Sequence, residues 1–272
     1  MVAANSAILS AITNEEIKRL FSMKPEEAIR FFRSKGLKIT WNWRDMAKEQ
    51  HARAFTVAKV MREDILKDIK SAVEEALDKG TPYRDFEEKL KPILQSKGWW
   101  GKAVDASTGE ITPSGKNGSP VQMGSPNRLS LIYETNMQVA YMAGRYQSMM
   151  AVTKYAPWWE YVAVMDRRTR PSHAELNGLV FRFDDQFWLS FYPPNGFRCR
   201  CRVVAREDFQ RERGDFEVSY GEGRMETVTK TWKRRNGTIA FEDVHGYRHP
   251  GTGKIITPDI GWDYHPGKEA FH

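Results

Sequence analysis

Cys199 and Cys201 are the only cysteines in the chain, and they sit within Arg198-Cys199-Arg200-Cys201-Arg202. On an extended backbone successive side chains alternate between faces, so Cys199, Cys201 and Val203 share one face and Arg198, Arg200 and Arg202 the other. Such a segment offers two soft ligands inward and three guanidiniums outward. One residue apart, the two thiols are poorly placed for an unstrained disulfide with each other. Reduced thiols in turn point to a cytoplasmic life. His173 as a base for a cysteine nucleophile can be drawn, but no local motif supports that pairing. Asp184 and Asp185 are neighbouring carboxylates that an extended chain would send to opposite faces. They read instead as a turn or helix cap ahead of Phe187 and Trp188. The chain carries no GxxxxGK[ST] phosphate loop, no GxGxxG, no GxSxG elbow and no HExxH. Without a convergent acid, base and nucleophile, an enzyme is the weaker expectation.

Charge gives a second line. Lys and Arg number 42 against 35 Asp and Glu, a formal +7 with a pI near 9.3. That balance favours polyanionic neighbours, nucleic acid first and an acidic protein surface second, against the plain alternative of a basic soluble surface. Lys233, Arg234 and Arg235 precede Asn236-Gly237, a favourable tight-turn pair, and so would form a basic hairpin tip. With the 198–202 arginine face they are the candidate nucleic-acid contacts. No run of five or more like charges marks a basic tail.

Around these residues the periodicity predicts the elements. Thr13 with Glu16 forms a capping-box pattern opening a short helix to about Met23. Pro25, Glu26 and Glu27 suit the first turn of a second helix that Gly36 ends, with Ala28, Phe31 and Phe32 on its apolar face. Val57, Val60, Met61, Ile65, Leu66, Ile69, Val73, Ala76 and Leu77 keep helical spacing until Gly80. Thr81-Pro82 opens another helix, which Pro92 should bend or break. Glycines and prolines interrupt every pattern from about Gly98 to Asn127, a long loop. A helix then runs from about Arg128 to Met150, where Ala140 and Gly144 invite close backbone approach. From Trp158 the period becomes that of a strand, again at Arg198–Val204, and again on both sides of Asn236-Gly237. The fold class is therefore α+β: an N-terminal helical region, then a mixed domain with a long helix and short antiparallel strands. No segment approaches the ~18 apolar residues of a membrane span. The N-terminus lacks the basic region of a secretory signal.

One stretch is more specific than periodicity. Asp166-Arg167-Arg168-Thr169-Arg170-Pro171-Ser172-His173, Leu176-Asn177-Gly178, Phe187-Trp188 and Pro193-Pro194-Asn195-Gly196-Phe197-Arg198-Cys199-Arg200-Cys201-Arg202 follow in that order. Together they resemble the signature of the Mu protein F-like, or phage head morphogenesis, family. Thr135-Asn136, Ala140-Tyr141 and Ala143-Gly144-Arg145 on the long helix are similar too, as are Pro25-Glu26-Glu27-Ala28, Lys35-Gly36 and the tail Gly261-Trp262-Asp263-Tyr264 with Pro266-Gly267. The similarity covers most of the chain and is strongest over 128–204. With the periodicity it gives four segments: a helical region at 1–97, a Gly/Pro-rich loop or linker at 98–127, the core that resembles the head-morphogenesis family at 128–215 and a hairpin-bearing extension at 216–272.

The resemblance further implies a non-enzymatic minor head protein of a Mu-like phage or prophage. Such a protein acts in procapsid assembly near the portal, with portal and other head proteins as partners. Its place is the host cytoplasm during assembly or the virion head. A DNA-binding packaging or ejection accessory, with packaged DNA as partner, is the alternative. A metal-dependent hydrolase or toxin-like enzyme is a distant third. Relatives as read here carry a Cys-x-x-Cys before the short helix and a Cys-x-Cys after it, a set that suits tetrahedral zinc. In this chain Arg170 and His173 replace the first pair. The candidate ligands that remain are His173, Cys199 and Cys201, with Asp166 as a fourth. Asp166 and the three others are expected to converge, as the turn after the Asp166 strand and the Pro-Pro-Asn-Gly-Phe turn fold back together. Two outcomes are open: one structural zinc, or a metal-free polar core in which His173 bonds Asp166 and the cysteines pack as small hydrophobes.

Overall fold

Ser125 sits in extended conformation and its hydroxyl accepts the Arg128 N–H at 3.3 Å, capping the helix that organises the molecule. The computed structural model describes residues 26–46, 50–103, 120–233 and 237–270. Numbered in chain order, the elements are α1 (Glu26–Ser34), β1 (Gly36–Leu37), α2 (Gln50–Arg53), β2 (Ala54–Phe55), α3 (Glu63–Lys79), α4 (Tyr83–Ser96) and the capped helix α5 (Pro126–Met150). There follow β3 (Trp158–Val162), α6 (Pro171–Ala174), β4 (Val180–Arg182), α7 (Phe187–Phe191), β5 (Arg202–Arg206), α8 (Asp208–Glu212), β6 (Met225–Lys233), β7 (Ile239–Arg248), β8 (Ile255–Ile256) and α9 (Pro266–Ala270). Helices dominate the first half and antiparallel sheets the second, an α+β fold with an N-terminal helical region.

Two apolar cores lie along α5. The first packs Phe31 and Phe32 of α1, Ile65, Leu66, Ile69 and Val73 of α3 and Leu90 and Leu94 of α4 against Leu129, Val139 and Ala143. Contact with α1 is tight: a Cβ at Gly144 would lie 2.6 Å from the Ala28 backbone nitrogen, so only glycine allows this approach. Trp262 and Tyr264 return from the far end of the chain to complete this core. The second core is aromatic. Trp159, Phe181, Phe187, Trp188, Phe191, Tyr192 and Tyr247 cluster with Met142 and Met149 of α5. Phe187 stacks on Phe181 at 3.9 Å between ring centroids and meets Tyr247 edge-on at 5.0 Å.

The strands form three sheets. β3 is central between β4 and β5, antiparallel to both, with Tyr161 opposite Val203. β6 and β7 form a long hairpin to which β8 adds, and a two-residue parallel pair joins β1 to β2. Three expectations need adjustment. The helix expected from Val57 starts at Glu63: Val57 and Val60 are buried, but Lys59 has φ 65°, which no helix accepts. Pro92 lies inside α4 without ending it, on the exposed face, where its missing N–H costs least. The strand expected over Arg198–Val204 starts at Arg202, because the chain before it is a turn. The helix expected over Thr13–Met23 lies outside the described residues. Among the described residues no helix is long and apolar enough to cross a membrane.

Candidate metal centre

β3 delivers Tyr161 inward, and the chain leaves it through a polar turn at Asp166. Pro171 at the first position of α6 suits a one-turn helix, whose His173 is buried. From the other side Asn195, Gly196 and Phe197 turn the chain. The Cys199 N–H donates to the Gly196 carbonyl at 3.2 Å, with Arg198 left-handed at φ 59°. Beyond that turn the side chains alternate: Cys199, Cys201 and Val203 are buried while Arg198 and Arg202 are exposed.

His173, Cys199 and Cys201 meet. His173 Nδ1 stands 3.7 Å from Cys199 Sγ and 3.6 Å from Cys201 Sγ, and the three donor atoms lie within 4.8 Å of one another. Ligands at the usual Zn–S and Zn–N lengths on a tetrahedron are separated by about 3.6 Å, so the spacing fits three corners of a zinc site. The same separations suit S–H···N hydrogen bonds. The partnership with Cys201, with burial added, pushes the Cys199 thiol well up, and the Cys199 hydrogen bond holds Cys201 below the ordinary thiol range.

Asp166 does not join them. Its carboxylate takes a two-pronged ion pair from Arg200, at 2.8 and 2.5 Å, and accepts the Arg168 N–H at 2.9 Å. The Arg200 guanidinium holds its carboxyl well below the usual carboxylate range. The alternation that turns the cysteines inward turns Arg200 outward, where it claims the nearest acid. His173 faces the thiols and not Asp166, so the expected His173–Asp166 pairing is replaced by a His173–thiol one.

A network surrounds the three residues. The Tyr161 hydroxyl donates to Asn195 Oδ1 at 2.8 Å, and Asn195 Nδ2 donates to the Ser190 carbonyl at 3.4 Å. Arg170 donates to the Phe197 carbonyl at 2.9 Å and pairs with Asp259 at 3.3 Å, tying both turns to the C-terminal segment. Tyr161, Asn195 and Arg170 were not singled out as site residues in the sequence. The sole hint for Asn195 was its place in the Pro-Pro-Asn-Gly-Phe turn.

The proposed nucleic-acid contacts are dispersed. Arg198 binds Asn127 Oδ1 at 2.6 Å and pairs with Glu134 at 3.4 Å, and Arg200 is held by Asp166. Arg202 and Lys233 are exposed, on β5 and at the end of β6. Arg234 and Arg235 lie outside the described residues.

This arrangement falls within a region that is similar to known sequences. Residues 67–204, which run from α3 through all three cluster residues to the start of β5, match the Phage Mu protein F like family. The chain belongs to that family. Among relatives of the Mu F-like family, a protein of Escherichia phage Mu provisionally named capsid assembly protein F is 43% identical over 252 residues, 92% of this chain and 55% of that protein. The Mu-like prophage FluMu F protein of Haemophilus influenzae is 38% identical over 242 residues, 86% of this chain and 54% of that protein. The chain thus spans about half the length of the curated relatives it matches. No solved structure matches it. For the Mu F-like family, then, this chain shows how the Asp166–His173 turn and the Phe197–Arg202 turn close on one buried cluster.

Proposed function

We propose that this chain is a minor head protein of a Mu-like phage or prophage that acts structurally in procapsid assembly, beside the portal. The observation carrying this reading is the 43% identity to a protein named for capsid assembly, extending over 92% of the chain. The site geometry agrees with a structural part. The most chemically distinctive residues are buried, and they tie two turns and the C-terminal segment together. The portal and the other head proteins are the partners in this reading, and the host cytoplasm, where heads assemble, is its place.

Co-expression with the portal and major capsid proteins tests it. The chain should co-purify with portal or procapsid at low copy, and its deletion should leave heads defective or missing. Heads that form, fill and infect normally without it defeat the proposal. A DNA-packaging role draws support from the +7 charge, but Arg198 and Arg200 already have acidic partners. DNA binding that weakens steeply with added salt, and weakens further when Lys233, Arg234 and Arg235 are neutralised together, would favour that second reading.

Within the structural reading, the His173–Cys199–Cys201 cluster braces the C-terminal half and takes one zinc. The chain supplies three ligands, and with Asp166 engaged elsewhere the fourth comes from outside this set. Zinc there would crosslink the two turns. Protein purified without chelator should carry about one zinc per chain, lost in Cys199→Ser. A content near zero with undiminished thermal stability leaves the hydrogen-bonded polar core instead.

A further inference from the structure

Beneath α5 a cavity of about 140 Å³ opens where the 35–58 segment, the middle of α5 and the returning tail meet. Most of its wall is apolar, from Phe55, Val57, Ile132, Val139 and the rings of Trp43 and Trp262. Its polar groups are of an unusual kind. His51 Nε2, Trp262 Nε1 and Thr135 Oγ1 all line it, are all buried, and have no hydrogen-bond partner. His51 and Trp262 are 6% and 1% exposed, so bulk solvent does not serve them.

Charge points the same way. Lys35, 5% exposed, and Arg128 also line the cavity. Among the described residues no carboxylate pairs with either. The Lys35 ammonium stands 5.0 Å from the Phe31 ring centroid. Arg128 donates to the carbonyls of Ala58, Gln122 and Met123 and lies 4.8 Å over Trp99, which satisfies its N–H groups without offsetting its charge. A buried cation without an anion is costly. Here Lys35 is such a cation, and the half-buried Arg128 borders the same apolar chamber, beside an indole N–H and a hydroxyl that are free to donate.

We propose that this cavity binds a small monocarboxylate on a short apolar body. The carboxylate would take the Lys35 ammonium, the Trp262 N–H and the Thr135 hydroxyl, and the body would fill the aromatic and aliphatic wall. Size sets the guest: a cavity of roughly 150 Å³ accepts benzene, so about six heavy atoms fit. Burial lowers Lys35 to about 7, with Lys70 adding to the effect, and lowers His51 to about 3. A bound anion reverses the first of these by giving the ammonium its counter-charge.

Isobutyrate, with six heavy atoms, is the probe, titrated into the full chain and followed by calorimetry and ligand-observed NMR. Saturable one-to-one binding is expected, at least tenfold weaker for the uncharged isostere isobutyramide, since a hydrogen bond to a charged group is worth that factor or more. Lys35→Met keeps the volume, removes the unpaired charge and should abolish the preference for the acid. Thr135→Val should weaken isobutyrate alone, and it guards against a Lys35 variant that fails to fold. No saturable binding, equal binding of acid and amide, or unchanged binding in folded Lys35→Met would overturn the proposal. The unpartnered atoms would then be served by water only. Because the readout is binding to the isolated chain, a negative result leaves the head-assembly reading untouched.

Discussion

Two buried polar regions flank α5, and they solve the same problem differently. At the cysteine cluster each polar side chain meets another: His173 faces both thiols, Tyr161 reaches Asn195, and Asn195 reaches the Ser190 carbonyl. Around the cavity His51, Thr135 and Trp262 each keep a polar atom without a hydrogen-bond partner, and Lys35 borders the same space. A closed network stabilises and specifies the fold by itself, whereas an open one lowers stability until something enters. The contrast teaches that burial alone does not separate a brace from a receptor. The distinguishing fact is whether the polar atoms have found partners within the chain.

Substitutions can break that contrast. The largest loss is expected from Asn195→Leu, which strands the Tyr161 hydroxyl and the Ser190 carbonyl in a dry core. Denaturant unfolding should show about 3 kcal/mol less stability, and a change below about 1 kcal/mol would mean the network is not closed. Lys35→Met should act with the opposite sign, leaving stability unchanged or raising it by up to about 2 kcal/mol, since it removes an unpaired buried charge. A clear destabilisation there would reveal a counter-ion for Lys35. In zinc-free protein Cys199→Ser should cost about 1–2 kcal/mol, as a poorer fit in a satisfied site. Thr135→Val should move stability by no more than about 0.5 kcal/mol, because that hydroxyl has no partner to lose.

The same lysine gives the contrast a pH signature. Its folded value near 7 lies below the ordinary 10.5, so between those values the unfolded chain holds the extra proton. Stability from this group is therefore present above the unfolded value and lost as pH falls through the window toward 7. Wild-type unfolding followed from pH 7 to 10 should show stability rising with pH, and Lys35→Met should flatten the rise. Identical slopes in the two proteins would remove Lys35 as its source.

Much of this could be read from residue order, and the omissions have physical causes. The alternation at Cys199 and Cys201 was legible because period-two geometry is local, and so was the end of α3 at Gly80. Val57 and Val60 kept helical spacing outside a helix, because burial imposes apolar residues on any chain that crosses a core. Asp166 was expected beside the cysteines because two turns fold its segment back on theirs, while its actual partner, Arg200, lay in the same pattern on the opposite face. The cavity was not legible. Lys35, His51, Thr135 and Trp262 come from four separate segments, and a lack of hydrogen-bond partners has no trace in sequence spacing.

Trp262 and Tyr264 belong to the first core although their neighbours there come from the first half of the chain. During synthesis the helices α1, α3 and α4 emerge early, yet the wall that Trp262 supplies is missing until the ribosome has passed residue 264. Local contacts can form at once, but contacts so distant in the chain wait for their partner to appear. The helical half therefore stands as an unfinished shell, with Trp43 uncovered, until Trp262 arrives to stack on it at 5.2 Å. A nascent chain arrested before Trp262 leaves the Trp43 ring without the indole that stacks on it in the folded protein.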